Sequence, residues 1–271
     1  MGHDAGDPDR NHSWIDALTV AAMFLTRLPV ASWLGGRWLL HDAGARPTLA
    51  ESAWAMPVMG AAIGAAGGAT FAVAMWIGLP SLVAAFLALA VTIALTGALH
   101  EDGLADVADG LGAMLAGRAD RAAALHIMRD SRIGTFGVLA LVITAGLRAA
   151  ALGDLPAASG AAALIAAHAG ARGLLPLAMQ RMIPARADGL AILAGRPTAE
   201  RALVAAGIGA LACLILLGPL LGALALLGAA ASAWALATLA RRCIGGYTGD
   251  VLGAIEQLGE TAILLVVAAM L

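Results

Sequence analysis

Long apolar runs separated by short polar connections set the pattern of this 271-residue chain. A helix needs roughly 20 predominantly apolar residues to cross the hydrocarbon core of a bilayer. Runs of about that length are read at residues 54–77, 82–99, 133–152, 155–179, 203–217, 220–240 and 251–271. The run over 15–34 is weaker because it holds Asp16, Arg27 and Pro29, and it predicts a half-inserted or spanning helix followed by a break. The expected fold is an all-α polytopic membrane bundle of about seven transmembrane helices plus this N-terminal element. With no internal repeat or linker in view, a single domain over 1–271 is expected. Gly60, Gly64 and Gly68 recur at four-residue spacing and predict a close helix contact.

Composition agrees with that class. The chain is 61% hydrophobic and only 13% charged, and its mean hydropathy is +0.88, whereas a soluble domain is about 45–50% apolar and about 25% charged. The formal net charge of −2 points to no partner, and no nucleic-acid partner is expected. Cys213 and Cys243 form neither a disulfide framework nor a CxxC metal site. The polar first 13 residues lack the basic start of a cleavable signal.

Arginine placement predicts orientation. Arg37 and Arg46, then Arg118 to Arg132, then Arg181 to Arg201, then Arg241 and Arg242 fall in alternate connections. The connections near Pro80, Asp154 and Pro219 carry none. The positive-inside rule therefore assigns the arginine-bearing loops to the cytoplasmic side of the membrane.

Against this background, five ionisable residues crowd into 100–109: His100, Glu101, Asp102, Asp106 and Asp109. The three aspartates stand at i, i+4 and i+7, within a stripe roughly 60° wide on one helical face. Glu101 lies about 100° away from that stripe. Like charges on one face call for a counter-charge, and a hard divalent cation such as Mg²⁺ suits carboxylate oxygens. The plainer reading is a solvated acidic helix start.

Charges also fall inside the apolar runs. Residues 262–271 cover only about 15 Å, so a spanning final helix must begin near Val251 and bury Glu256 and Glu260. Arg172 and Arg27 are similarly placed, and either an interior cavity or an arginine–carboxylate pair is expected for them. Arg148 is expected to snorkel toward Asp154 at the outer interface. His168, flanked by apolar residues, is expected to be a hydrogen-bonded core histidine.

Two more polar patches face the arginine-bearing side. His126-Ile127-Met128-Arg129-Asp130-Ser131-Arg132-Ile133-Gly134-Thr135 offers two arginines and a glycine near a helix start, which would suit a phosphate or serve as a basic anchor. Residues 245–253 form a glycine-rich turn with Asp250. Carboxylates for a metal, arginines for phosphate and a compact turn are the parts that metal-assisted phosphoryl transfer needs.

Phe24-Leu25-Thr26-Arg27-Leu28-Pro29, together with the stretches 100–110, 128–137 and 246–253, resembles the cobalamin synthase, or adenosylcobinamide-GDP ribazoletransferase, family over nearly the whole chain. The resemblance implies a membrane enzyme requiring Mg²⁺. Its substrates would be adenosylcobinamide-GDP and α-ribazole or α-ribazole 5′-phosphate, and its products adenosylcobalamin or its phosphate plus GMP. It also implies the bacterial cytoplasmic (inner) membrane, with the active site facing the cytoplasm. Carried onto this sequence, it makes Asp102, Asp106 and Asp109 metal ligands. Arg129 and Arg132, with Arg27, Arg172 and Asp250, are substrate-binding candidates. Asp109 and Asp130 are alternative proton acceptors, and the sequence leaves the choice open, as it does for a homo-oligomer. A CDP-alcohol phosphotransferase places aspartates similarly, but its Ala-Arg after the first Asp-Gly is missing here, where Asp106 follows Ala105. A cation-coupled transporter would concentrate its polar groups near the midplane instead.

Overall fold

The computed structural model describes residues 13–33 and 47–271; Leu34, Arg37 and Arg46 fall outside them. The long helices are α1 (Trp14–Leu25), α2 (Met56–Trp76), α3 (Ser81–Thr96), α4 (Leu99–Leu115), α5 (Arg121–Ile127), α6 (Thr135–Gly153), α7 (Ala157–Arg181), α8 (Ala199–Leu217), α9 (Pro219–Ile244) and α10 (Gly249–Met270). Among the described residues, six helices are long and apolar enough to span, and α3 with α4 makes a seventh, bent pair. Each span expected from the sequence is matched by a helix. α1, at 12 residues, is about 18 Å long and too short to cross a bilayer alone.

Packing follows the small residues. A Cβ on Gly60 would fall 2.3 Å from the carbonyl oxygen of His168, one on Gly64 2.6 Å from that of Leu164, and one on Gly68 2.9 Å from that of Ala161. The glycine stripe of α2 therefore lies directly on the backbone of α7, as its spacing predicts.

One run does not continue as expected. The apolar stretch 82–99 stops at Thr96 because Gly97 (φ 64°) and Ala98 (φ 57°) both adopt the left-handed conformation. The chain turns through 92° there, and the acidic helix α4 sets off across the bundle instead of along α3. A positive φ is strained for alanine. Arg27 braces the break: its amide donates to the Leu95 carbonyl at 2.7 Å, and its side chain packs on Gly97.

α4 is clamped against α10. A Cβ on Gly103 would sit 2.8 Å from the Asp250 carbonyl oxygen, so the two backbones touch where Asp102 and Asp250 emerge. Among the described residues, three arginine-bearing connections meet at the same end of the bundle. The Tyr247 amide donates to Ile183 at 2.9 Å and the Ala185 amide donates to Tyr247 at 2.8 Å, while Arg186 donates to the Leu125 carbonyl at 2.8 Å.

Two apolar clusters fill the interior. The one nearer the arginine-bearing end includes Leu175, Met179, Val251 and Ile255. The other includes Ala163, Leu164, Ile263 and Val267. Between them along α7 and α10 lie His168, Arg172, Glu256 and Glu260, each at most 3% exposed.

Candidate active site

The cleft opens where α4, α10 and the connections after α5 and α7 converge. A polar recess is lined by Glu101, Asp102, Asp106, Arg129, Asp130 and Ser131. Asp102 also lines an apolar chamber together with Asp250, and Asp250 continues into a smaller recess with Arg186, Asp188 and Thr248. Asp102, Asp106 and Asp250 thus share one continuous surface, and Asp106 stands within electrostatic range of Asp102, Asp250, Asp109 and Arg186. Asp250 is held by the Thr248 hydroxyl, which donates to its Oδ2 at 3.1 Å. The same hydroxyl oxygen accepts from the Val251 amide at 3.3 Å and caps α10.

Asp109 departs from the expected trio. Its Oδ2 accepts from the Gly134 amide at 2.6 Å and its Oδ1 from the Gly137 amide at 2.9 Å. It is a buried cap on the positive end of α6. Seven residues of helix put it about 10 Å along the axis from Asp102, so a shared face does not bring all three carboxylates to one ion. The glycines of this patch were expected to admit a phosphate. They make room for Asp109 instead, since a Cβ on Gly134 would fall 2.4 Å from its Oδ1.

Asp130 is also committed. Arg132 grips it through Nη2 at 2.6 Å and Nε at 3.0 Å, and the Arg132 amide adds a third bond at 3.1 Å. These bonds lower the Asp130 carboxyl to about 2, which makes it a weak proton acceptor near neutral pH. Arg132 is 87% exposed and occupied by this pair. Arg129 lines the recess and pairs with Asp188 at its rim.

Arg172 lies outside the cleft, contrary to the substrate-binding role read for it. Its Nη1 reaches Glu260 Oε1 at 2.8 Å and His168 Nδ1 at 2.9 Å, and Glu256 closer still. Its Nη2 lies 3.2 Å from His100 Nδ1. The expected pairing of Glu256 and Glu260 with Arg172 is present. Arg148 does not snorkel to Asp154; it is 2% exposed, and its Nη1 donates to Glu260 Oε2 at 3.0 Å. Its Nη2 lies 3.6 Å from Glu101, which also accepts from Gln257 at 3.1 Å. Glu101, off the aspartate stripe as read, ties α4 to this network. An interior ion pair satisfies Arg148 better than a reach past the end of α6 to Asp154, six positions on. His168 is the bonded core histidine expected. His168, Glu256 and Glu260 have ligand atoms within 4.8 Å of one another, yet the Arg172 guanidinium lies within bonding reach of all three and fills the place of an ion.

Arg186 and Asp188 were not singled out in the sequence. Their one signal was the Pro184-to-Gly189 turn in an arginine-bearing connection, and their position depends on the long-range clasp to Tyr247.

The chain is similar to known proteins over nearly its whole length. Residues 17–268 match the family model described as cobalamin-5-phosphate synthase. The chain is 45% identical over 253 residues to a Bradyrhizobium diazoefficiens protein named adenosylcobinamide-GDP ribazoletransferase, covering 93% of each chain. It is 46% identical to a protein of the same name from Azorhizobium caulinodans, covering 94% of this chain and 96% of that one. For the Mesorhizobium japonicum protein so named, identity is 42%, covering 95% and 94%. No solved structure matches the chain. With its helical membrane bundle, its carboxylate cleft and this full-length likeness, the chain belongs to the cobalamin-5-phosphate synthase family.

Proposed function

We propose that this chain joins adenosylcobinamide-GDP to α-ribazole or α-ribazole 5′-phosphate and releases GMP. The observation that carries the reading is the meeting of Asp102 and Asp106 from α4, Asp250 from α10, and Arg129 and Arg186 from two connections on one cleft. A ribazole hydroxyl oxygen attacks the phosphorus next to cobinamide, the P–O–P bond breaks, and GMP departs with the bridging oxygen.

The donor set fits magnesium. Asp102 and Asp106 offer hard oxygens one helical turn apart, and Mg²⁺ commonly takes one or two carboxylates and completes its shell with phosphates and water. When bound, the ion supplies positive charge to the diphosphate. Arg129 and Arg186 orient the phosphates and stabilise the charge that spreads over them during transfer. With Asp109 capping α6 and Asp130 held by Arg132, Asp250 is the carboxylate we assign to accept the hydroxyl proton. The buried Arg148–Glu260–Arg172–Glu256 network keeps α6, α7 and α10 in register under the cleft, and Glu101 and His100 tie α4 to it.

The reaction is tested with purified protein, Mg²⁺, adenosylcobinamide-GDP and α-ribazole. Stoichiometric GMP and coupled corrinoid product are expected. GMP formed equally without α-ribazole would mean hydrolysis and would overturn the reading. We place the cleft on the cytoplasmic side of a bacterial inner membrane, supported by the three arginine-bearing connections at that end of the bundle.

A further inference from the structure

We infer that the apolar chamber beside Asp102 and Asp250 is the seat of the aromatic base of the ribazole acceptor. The inference rests on the transfer reading above. The chamber holds a cavity of about 140 Å³, and like ligand pockets generally it is concave and mostly apolar with a few polar groups. Its walls include Leu49, Met56, Leu175, Met179 and Leu252, and its ionisable side chains are Asp102, Asp250 and His100. His100 is itself engaged, with Nδ1 3.4 Å from Glu256 and 3.2 Å from Arg172.

Four parts of the two substrates compete for this space. Guanine carries an amide and an amino group, and the adenine of the adenosyl group an amino group; these donors need partners, and burying them among leucines and methionines leaves them unpaired. The corrin macrocycle is far larger and rimmed with amides. Dimethylbenzimidazole is a flat bicycle with two methyl groups and, once linked to ribose, no N–H donor. It matches an apolar slot, and the thioethers of Met56 and Met179 adapt to an aromatic face. Seated there, the base directs its ribose toward Asp102 and Asp250, where the hydroxyl must be delivered.

The test narrows the chamber from its loop wall. Ala194, 8% exposed and lining the chamber, is replaced in Ala194→Phe, and KM is measured for each substrate separately. KM for α-ribazole is expected to rise about tenfold or more, with KM for adenosylcobinamide-GDP within about twofold. The riboside of unmethylated benzimidazole is expected to suffer less than α-ribazole. Calorimetric binding of α-ribazole to the detergent-solubilised variant should weaken in parallel. A rise confined to the corrinoid substrate, or no change in either KM from a normally folded variant, would overturn the inference. Met179→Ala covers the case in which Ala194→Phe does not fold. It is expected to erase the preference for the methylated base, and retained preference counts against the proposal. Wild-type protein that binds α-ribazole but transfers nothing contradicts the reaction and leaves the seat standing. Transfer with unaltered α-ribazole KM in both variants contradicts the seat and leaves the reaction standing.

Discussion

Asp109 and Gly134 meet at 2.6 Å, carboxylate oxygen to backbone amide, so that the second half of α4 is tied to the start of α6. With the second bond to Gly137, this makes Asp109 a cap on a neighbouring helix, while Asp102 and Asp106 remain on the cleft. Asp109→Asn leaves one buried amide without a good acceptor and is expected to lower stability by about 1–3 kcal/mol. Asp102→Asn and Asp106→Asn should leave the melting temperature near wild type and reduce turnover by at least about 10²-fold. Thermal melts in detergent beside GMP-release rates separate the two classes.

Glu260 is shared by Arg148, Arg172 and His168, whereas Glu256 faces Arg172 and His100. Removing one partner of a buried pair costs roughly 3–5 kcal/mol, because the other charge stays behind uncompensated. Glu260→Gln is therefore expected to destabilise more than Glu256→Gln. Adding Arg172→Met to Glu260→Gln should recover part of the loss, and a melt in which the double variant is worse by the sum of both singles would refute the coupling.

The Asp130–Arg132 pair predicts a negative result. With its carboxyl lowered to about 2 from an ordinary value of about 3.9, Asp130 contributes its pairing above that ordinary value and loses it as pH falls toward 2. Between pH 6 and 8 its charge does not change. Asp130→Asn should keep turnover within about threefold of wild type with an unaltered profile over that interval. A loss of about 10²-fold or more, the scale of a missing general base, would return the proton to Asp130.

The spans were legible because apolar length and arginine placement are local properties; which helix packs on which is not, and α2 lies on α7 while α4 lies on α10. The left-handed Ala98 that turns α4 was not, since alanine gives no sign of a positive φ. Nor was the pairing of Arg148 with Glu260, 112 positions away; a buried arginine announces a need for a partner without naming it. The aspartate stripe was correctly seen as one face. What periodicity omits is the neighbour at each level of that face, and α6 lies beneath Asp109.

Orientation is open to labelling. Single cysteines at Ala119 and Ala187, in a background lacking Cys213 and Cys243, should resist an impermeant thiol reagent in intact cells, while one at Asp154 should react. Labelling of Ala119 and Ala187 from outside would place the cleft on the wrong face for cytoplasmic nucleotides.

The central claim is that Asp102 and Asp106 hold the metal while Asp250 serves the hydroxyl, and Mg²⁺ dependence of GMP release tests it most directly. Half-saturating Mg²⁺ is expected to rise by about tenfold or more in Asp102→Asn and Asp106→Asn. In Asp250→Asn it should stay within about twofold while turnover falls by about 10²-fold, and Asp154→Asn at the opposite end should match wild type in both. Full activity after chelation of divalent cations, or an unchanged Mg²⁺ requirement in the two α4 variants, would contradict the account.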